Sequence, residues 1–297
     1  MKAHTGYCSA FNQDSSETVA YNNPLFPFYA QYGFLSQYPN YSAISHWHND
    51  LEFIFIKKGC MTYNVNGKLI ELSENNGIMV NSRQIHHGFS AEHQECEFIC
   101  ILLSPELLQG NQWFYQNYVE YITNHSSCPY LYLSSHGWQA DLLKKTELLY
   151  QLGEHGEESC FKVIELFSSM MEILYKKLPV PRQASENTSS EIASLKNMIA
   201  YIEEHFTEHI TLDDVAFSGA CCKSRCFLLF RKYLRDTPVS YITKLRLRRS
   251  LTALLETDSS MTEIAYAYGF GGASYYCEVF RKYYGISPLK YKKISLT

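Results

Sequence analysis

Long apolar runs are missing from this chain of 297 residues. The longest is the six-residue stretch from Phe98 to Leu103, and a membrane-spanning helix needs about 20 residues of that character. The first thirty residues also lack a basic start followed by an apolar core, so no secretory signal is expected. Charge is sparse, with 19% charged residues and a net charge of −4, while hydrophobic residues make up 46%. That balance excludes a disordered chain and supplies enough apolar material for real cores. The ten cysteines lack paired spacing: Cys8, Cys60, Cys96, Cys100, Cys128, Cys160, Cys221, Cys222, Cys226 and Cys277 are scattered. Without an export signal they are expected as reduced thiols in a cytoplasm. At about 150 residues per domain, the length points to two folding units.

The small net charge hides an asymmetry. Residues 191–297 hold 15 basic and 11 acidic side chains, against 11 and 19 in the rest of the chain. A polyanionic partner therefore suits the C-terminal part alone. Ahead of that part runs PVPRQASENTSS, polar, with two prolines and no apolar period. It reads as a linker over 179–190. From about 138 to 177 the apolar residues take helical spacing, with Leu142, Leu143, Leu148, Leu149 and Leu152 in one stripe. Val163, Leu166, Phe167, Met170, Ile173 and Leu174 form a second stripe. Such helices either meet a partner chain or cap their own domain, and periodicity does not choose between the two. From about 21 to 104 the pattern changes to short apolar runs, LEFIFI (51–56), MTYNV (61–65), IMV (78–80) and FICILL (98–103), separated by Gly, Asn and Ser. These predict an antiparallel barrel or sandwich. Asn66-Gly67 predicts a two-residue hairpin, because a type I′ turn needs positive φ at both positions.

After the linker the sequence repeats itself. Phe230-Arg231-Lys232-Tyr233 recurs fifty residues on as Phe280-Arg281-Lys282-Tyr283, and Pro238 and Tyr241 recur as Pro288 and Tyr291. Each copy starts with a capping box, Thr211 to Asp214 and Ser260 to Glu263. Each then breaks at small residues, Gly219-Ala220 and Gly269-Phe270-Gly271, before a second helix. Two helix-turn-helix motifs are predicted, over about 212–234 and 261–284. The joining helix over 241–256 turns Ile242, Leu245, Leu251, Leu254 and Leu255 inward and Arg246, Arg248 and Arg249 outward. Lys223 and Arg225 sit at the start of the first reading helix, where side chains meet base edges. Arg231, Lys232, Arg281 and Lys282 lie further along and suit phosphate. Cys221, Cys222 and Cys226 lack a fourth ligand or a second Cys-x-x-Cys pair, so no metal is expected there.

Residues 195–293 resemble the paired helix-turn-helix domain of AraC-type transcription regulators. The resemblance rests on Ile264-Ala265, Gly269-Phe270, Ser274-Tyr275, Phe280-Arg281-Lys282 and Gly285-Ile286-Ser287-Pro288. It implies that the second helix of each motif enters a major groove of duplex DNA. Ser224, Ser274, Tyr275 and Glu278 then join the expected contact set, a glutamate being able to accept from cytosine N4. The chain departs from the family at four places. Leu228 and Glu278 stand where the family usually has arginine, Cys222 where it prefers a capping serine, and Ala220 where it prefers glycine.

HWHNDLEFIFIKKG (46–59) and GIMVNSRQIHHGF (77–89) are similar to the cupin sensor domains found ahead of such motifs. His46, His48 and Glu52 are separated by even steps and would share one face of a strand; His86 would complete a cluster. The expected occupant is a small molecule without metal. Three imidazoles and a carboxylate keep a divalent metal open as the alternative, and no other cofactor is expected. Trp47 is expected in the core and His87 on the outside. The whole reads as a multidomain α+β chain: a sensing domain over 1–178, with an antiparallel cupin-like β-barrel (about 21–104) and flanking helices (about 105–178), then an all-α paired helix-turn-helix domain over 191–297. The expected function is a cytoplasmic, homodimeric transcription regulator, an activator or a repressor, with duplex DNA, a small-molecule effector and RNA polymerase as partners. A metal-dependent cupin enzyme and a relative that acts without binding DNA are the competing readings. No nucleophile–base pair or phosphate-binding glycine loop supports other chemistry.

Overall fold

Short strands and tight turns build the first half of the chain. In the computed structural model, which describes residues 10–11, 17–125, 127–153, 160–179 and 186–295, seven strands form the N-terminal sheet: β1 (Phe28–Phe34), β2 (Leu51–Val65), β3 (Lys68–Ser73), β4 (Gly77–Val80), β5 (His86–Phe89), β6 (Cys96–Leu103) and β7 (Tyr130–Leu133). They are hydrogen-bonded in the order β1-β6-β2-β4-β7, while β3 and β5 pair with the far half of β2. Every pairing is antiparallel. LEFIFI and MTYNV, two runs in the sequence, are thus one strand of 15 residues. Its pairing register shifts between Ile56 and Lys58, and Gly59 takes φ +79. A β-carbon at Gly59 would come within 2.4 Å of the Glu95 carbonyl oxygen. The bend lets one strand serve two groups of neighbours. Asn66 (φ 49) and Gly67 (φ 85) make the expected tight turn between β2 and β3.

β7 lies inside the stretch read as helical. Four residues of alternating Tyr and Leu are too few to show a period beside two long amphipathic helices, and their pairing with β4 decides the conformation. The helices α1 (Gln139–Gly153) and α2 (Cys160–Lys177) follow. Leu142, Leu143 and Leu149 of α1 share one buried core with Val163, Leu166, Phe167, Met170 and Leu174 of α2 and with Phe53, Met79 and Ile101 of the sheet. Burying such a side chain is worth roughly 1.5–3 kcal/mol, and these stripes bury theirs within their own domain. Leu148 alone among the expected stripe residues is exposed, at 39%.

Residues Ser16–Ser185 form one compact unit, and Glu186–Thr297 belong to another. Residues 180–185 of the expected linker lie outside the described residues. Its last five, 186–190, begin the helix α3 (Glu186–His205), since a first helical turn tolerates polar residues and needs no apolar face. Then come α4 (Leu212–Ser218), α5 (Lys223–Leu229), a wider turn of π-helix over Phe230–Leu234, α6 (Pro238–Glu256), α7 (Met261–Ala267), α8 (Ala273–Tyr284) and α9 (Pro288–Ser295). Both expected capping boxes are present, Thr211 with Asp214 and Ser260 with Glu263. The repeat extends to packing: Phe230 meets Tyr241 edge-on at 5.8 Å, and Phe280 meets Tyr291 at 5.6 Å.

One expectation fails at α6. Arg246 donates to the carbonyls of Phe206 and Glu208, at 2.6 Å each, and Arg249 pairs with Glu203 at 3.0 Å. With Arg248, they are partly buried and do not point freely outward. The reason is the central position of α6, which packs against α4, α7, α8 and α9 and has little free face. The nine described cysteines are all free thiols. Among the described residues no helix is long and apolar enough to cross a membrane.

Candidate effector cluster and nucleic-acid interface

A two-way backbone bridge begins the N-terminal site. His46 N–H donates to the His86 carbonyl at 3.1 Å, and His86 N–H donates back at 2.9 Å. The bridge sets the two imidazole centroids 4.4 Å apart. Residues 49–50 then bend before β2 starts at Leu51. The Ser82 hydroxyl donates to the Asn49 carbonyl at 2.7 Å and Arg83 N–H to the His48 carbonyl at 2.8 Å, which fixes that bend. His46, His48 and Glu52 therefore converge across a bend and not along one strand. One donor atom from each of His46, His48, Glu52 and His86 lies within 4.8 Å of the others. His48, Glu52 and His86 are buried and His46 is half-buried.

The polar contacts fix how each ring faces. His46 Nδ1 lies 2.8 Å from the Ile44 carbonyl, His86 Nδ1 2.8 Å from the Gln84 carbonyl, and His48 Nδ1 3.2 Å from the Asp50 carbonyl. A carbonyl only accepts, so each Nδ1 carries a hydrogen and each Nε2 is left for the cluster. Glu52 Oε2 stands 3.4 Å from His86 Nε2 and 3.7 Å from His48 Nε2. Its other oxygen accepts a short hydrogen bond from the Tyr63 hydroxyl. Burial alone would raise the Glu52 carboxyl; the facing His86 and His48 rings overcome that and hold it well below the usual carboxylate range. Burial first, and then the Glu52 charge, pushes the Tyr63 phenol well above its usual value. Tyr63 is the member that sequence reasoning missed. Eleven residues separate it from Glu52, and only the bent β2 brings them together. Trp47 is buried as expected. His87 is not outside: only 6% exposed, its Nδ1 lies 2.7 Å from the Ser45 hydroxyl. Three of the four β5 residues are buried, so alternation there exchanges one covered face for another.

In the C-terminal unit, Lys223, Ser224 and Arg225 are exposed on the first turn of α5, and Arg231 and Lys232 are exposed in the turn that extends it. Ser274, Tyr275, Glu278, Arg281 and Lys282 are exposed along α8. Cys222 occupies the N-cap of α5 and makes no capping bond through its side chain. The two sets of cations differ in their neighbours. Glu191 on α3 pairs with Arg225 and with Lys232, at 2.5 Å each, and accepts from the Tyr233 hydroxyl at 2.6 Å. Hydrogen bonds from Lys232 and Tyr233 pull its carboxyl down to about 2. Lys223 pairs with Asp213 at 3.0 Å. Among the described residues no acidic group pairs with Arg281 or Lys282.

Two domain families match. The AraC-like ligand binding domain covers residues 28–152, and a helix-turn-helix domain covers residues 223–294. The HTH-type transcriptional regulator YdeC of Bacillus subtilis is 30% identical over 254 residues, which span 84% of this chain and 86% of YdeC. The melibiose operon regulatory protein of Escherichia coli is 22% identical over 301 residues, 99% of this chain and 97% of that protein. Among solved structures, ToxT from Vibrio cholerae superposes with a TM-score of 0.46 at 15% identity, covering 90% of this chain and 98% of ToxT.

Proposed function

The chain belongs to the AraC-type family of transcription regulators, with a ligand-binding domain ahead of a helix-turn-helix DNA-binding domain, and from that premise we propose that an effector held at His46, His48, Glu52 and His86 sets how the two motifs meet DNA. The observation that supports this is the buried convergence of four polar side chains inside the matched ligand-binding region. Buried polar groups cost stability unless something answers them, so a cluster of this kind is a default place for a ligand. For occupancy to matter, the effector must bind two arrangements of the protein with different affinity.

On the DNA side, Lys223, Ser224 and Arg225 would read base edges from the first motif, and Ser274, Tyr275 and Glu278 from the second. Arg231, Lys232, Arg281 and Lys282 would hold phosphates. A regulator of this kind works in the cytoplasm beside the chromosome and RNA polymerase, as a homodimer where its operator is paired. The stripes of α1 and α2 are buried in their own domain, so a dimer would have to use other surfaces, for example around the 91%-exposed Phe161. The relatives are regulators, and no reaction is assigned to the cluster.

The test is a gel-shift titration of the full chain on DNA flanking its own gene at several salt concentrations. Four phosphate contacts predict that log affinity falls against log salt with a slope of about −3 to −4. Absence of a shift at low salt overturns the reading. An affinity unchanged in Lys223→Ala and Arg225→Ala would leave base reading to the second motif alone.

A further inference from the structure

The second helix of the first motif turns two large apolar side chains to solvent. Cys226, Leu229, Phe230 and Tyr233 are buried at spacings of three and four residues, which fixes the side of α5 that faces the core. The opposite side carries Ser224, Phe227, Leu228 and Arg231, again three and four apart, and all four are exposed. Phe227 is 44% exposed and Leu228 58%. The cations beside that side are engaged by acids: Arg225 and Lys232 by Glu191, and Lys223 by Asp213. The middle of the helix thus offers apolar surface without a side-chain hydrogen-bonding group. The fold does not impose this. Fifty residues on, Ser274, Cys277, Glu278 and Arg281 hold the same four positions of α8. Serine and arginine recur, and the middle pair differs.

We infer that Phe227 and Leu228 read the C5-methyl groups of thymine, so that the first motif selects a thymine-bearing block of its operator. This rests on the reading of α5 as a DNA-reading helix and goes beyond the base contacts given there to Lys223, Ser224 and Arg225. The second helix of such a motif lies in the major groove, and the thymine methyl is the one apolar group that base edges present in that groove. Against the polar edges of guanine, cytosine or adenine, Phe227 and Leu228 would strip water from groups they cannot answer. The apolar pair is continuous with the charged face. Ser224 lies one turn before Leu228, and Arg231 follows one turn after Phe227. Among the described residues no acidic group pairs with Arg231. A phosphate drawn onto Arg231 brings the neighbouring bases to the pair. Glu278, at the position of Leu228 in the second motif, suits a cytosine amino group instead. The two motifs are copies, yet the two blocks they select are not.

The test starts from random-sequence duplex DNA enriched on the full chain. One enriched block should carry thymines at fixed positions. Exchanging each for uracil, which lacks the C5-methyl and is otherwise the same base, should weaken binding in a gel shift about fourfold per methyl, the factor for taking one such carbon out of water. With Phe227→Ala and Leu228→Ala combined, that loss should fall below about twofold, while the other block is selected as before. Leu228→Arg should exchange a selected thymine for guanine, whose O6 and N7 accept an arginine fork. Both positions are exposed, and circular dichroism shows that each variant is folded. The inference is overturned if no thymine is selected, or if uracil duplexes bind wild type as tightly as thymine ones. It is equally overturned if the double variant keeps the full uracil loss or Leu228→Arg leaves the selected bases unchanged; the apolar pair then covers something other than bases. Failure of the DNA reading itself looks different. In that case no sequence is enriched and no duplex shifts at low salt, and the thymine assignment falls with it.

Discussion

The two helix-turn-helix motifs are copies of one unit that have settled the same backbone problem with different residues. Both first helices start with a capping box, and both second helices bury a phenylalanine against a tyrosine fifty residues apart in the repeat. At the turn they part. The first motif puts Ala220 into the left-handed region at φ 50, where the second has Gly269 at φ 75. At the end of the second helix the first motif has Arg235 at φ 57, where the second has Gly285 at φ 77. In equivalent turn bonds, Cys221 donates to Ala216 and Phe270 to Ala265, 49 residues on; Cys226 donates to Cys222 and Tyr276 to Gly272, 50 residues on. The second turn is therefore one residue longer. The first motif carries backbone strain that the second relieves with glycine; Glu191 holds its Arg225 and Lys232 and Asp213 holds its Lys223, where among the described residues no acidic group pairs with Arg281 or Lys282 of the second. Glycine at the turn and an open pair of cations go together in the second motif, which departs from the family at Glu278 alone, and we propose it as the one better prepared for DNA.

The largest effect expected from this difference is at Gly269. A β-carbon there would lie 2.6 Å from the Phe206 carbonyl oxygen and 2.9 Å from Arg246 Nε, at a positive φ. Gly269→Ala should destabilise the C-terminal unit by about 2–3 kcal/mol. The measurement is selective because all three tryptophans, Trp47, Trp113 and Trp138, lie in the other unit. Urea unfolding followed by far-ultraviolet circular dichroism should shift, while the tryptophan fluorescence transition stays in place. Equal stability of Gly269→Ala and wild type would show that the glycine is not demanded by the turn.

The turns also show what the sequence could and could not disclose. Both capping boxes, the Asn66-Gly67 hairpin and the four-residue cluster were legible, because each depends on residue types at fixed short spacings. The unbroken β2, the short β7 and the partial burial of Arg246, Arg248 and Arg249 were not. A bend at Gly59 needs the neighbouring Glu95 to be understood, β7 needs β4, and the arginines need the end of α3. Each is set by a partner distant in sequence. Tyr63 is the same case within the site. The 49-residue offset of the first helices was visible in Thr211 and Ser260, but its meaning required the hydrogen bonds that place the extra residue in the second turn.

A smaller effect separates the two charged faces. Arg281→Ala with Lys282→Ala removes two open cations, and the salt slope of DNA binding should fall by about 2. The pair Arg231→Ala with Lys232→Ala should cost about half as much, since Lys232 is already engaged by Glu191. Equal losses would erase the distinction between the motifs. Glu191→Gln should act in the other direction, tightening DNA binding about 1.4- to fivefold by releasing Arg225 and Lys232, a range set by an exposed ion-pair contribution of about 0.2–1 kcal/mol. The same contact has a pH signature. A carboxyl lowered to about 2 in the folded chain stabilises it fully above its unfolded value of about 4.3 and loses that contribution as the pH falls toward 2. The stability gap between wild type and Glu191→Gln, followed by circular dichroism, should be constant above about pH 5 and close below it. A gap that grows on acidification would contradict the assignment.

The smallest effect lies at Ala220, and its sign matters more than its size. A left-handed backbone costs a residue with a β-carbon about 1–2 kcal/mol. Glycine removes that cost but gives back about 0.5–1 kcal/mol through the freedom it adds to the unfolded chain. Ala220→Gly should therefore stabilise the C-terminal unit by about 0.5 kcal/mol, opposite in sign to Gly269→Ala at the equivalent place. If circular dichroism instead finds the variant weaker, the methyl group of Ala220 makes contacts worth more than its strain. The first turn would then be a different solution with its own packing, and the motif could not be described as a less relaxed copy of the second.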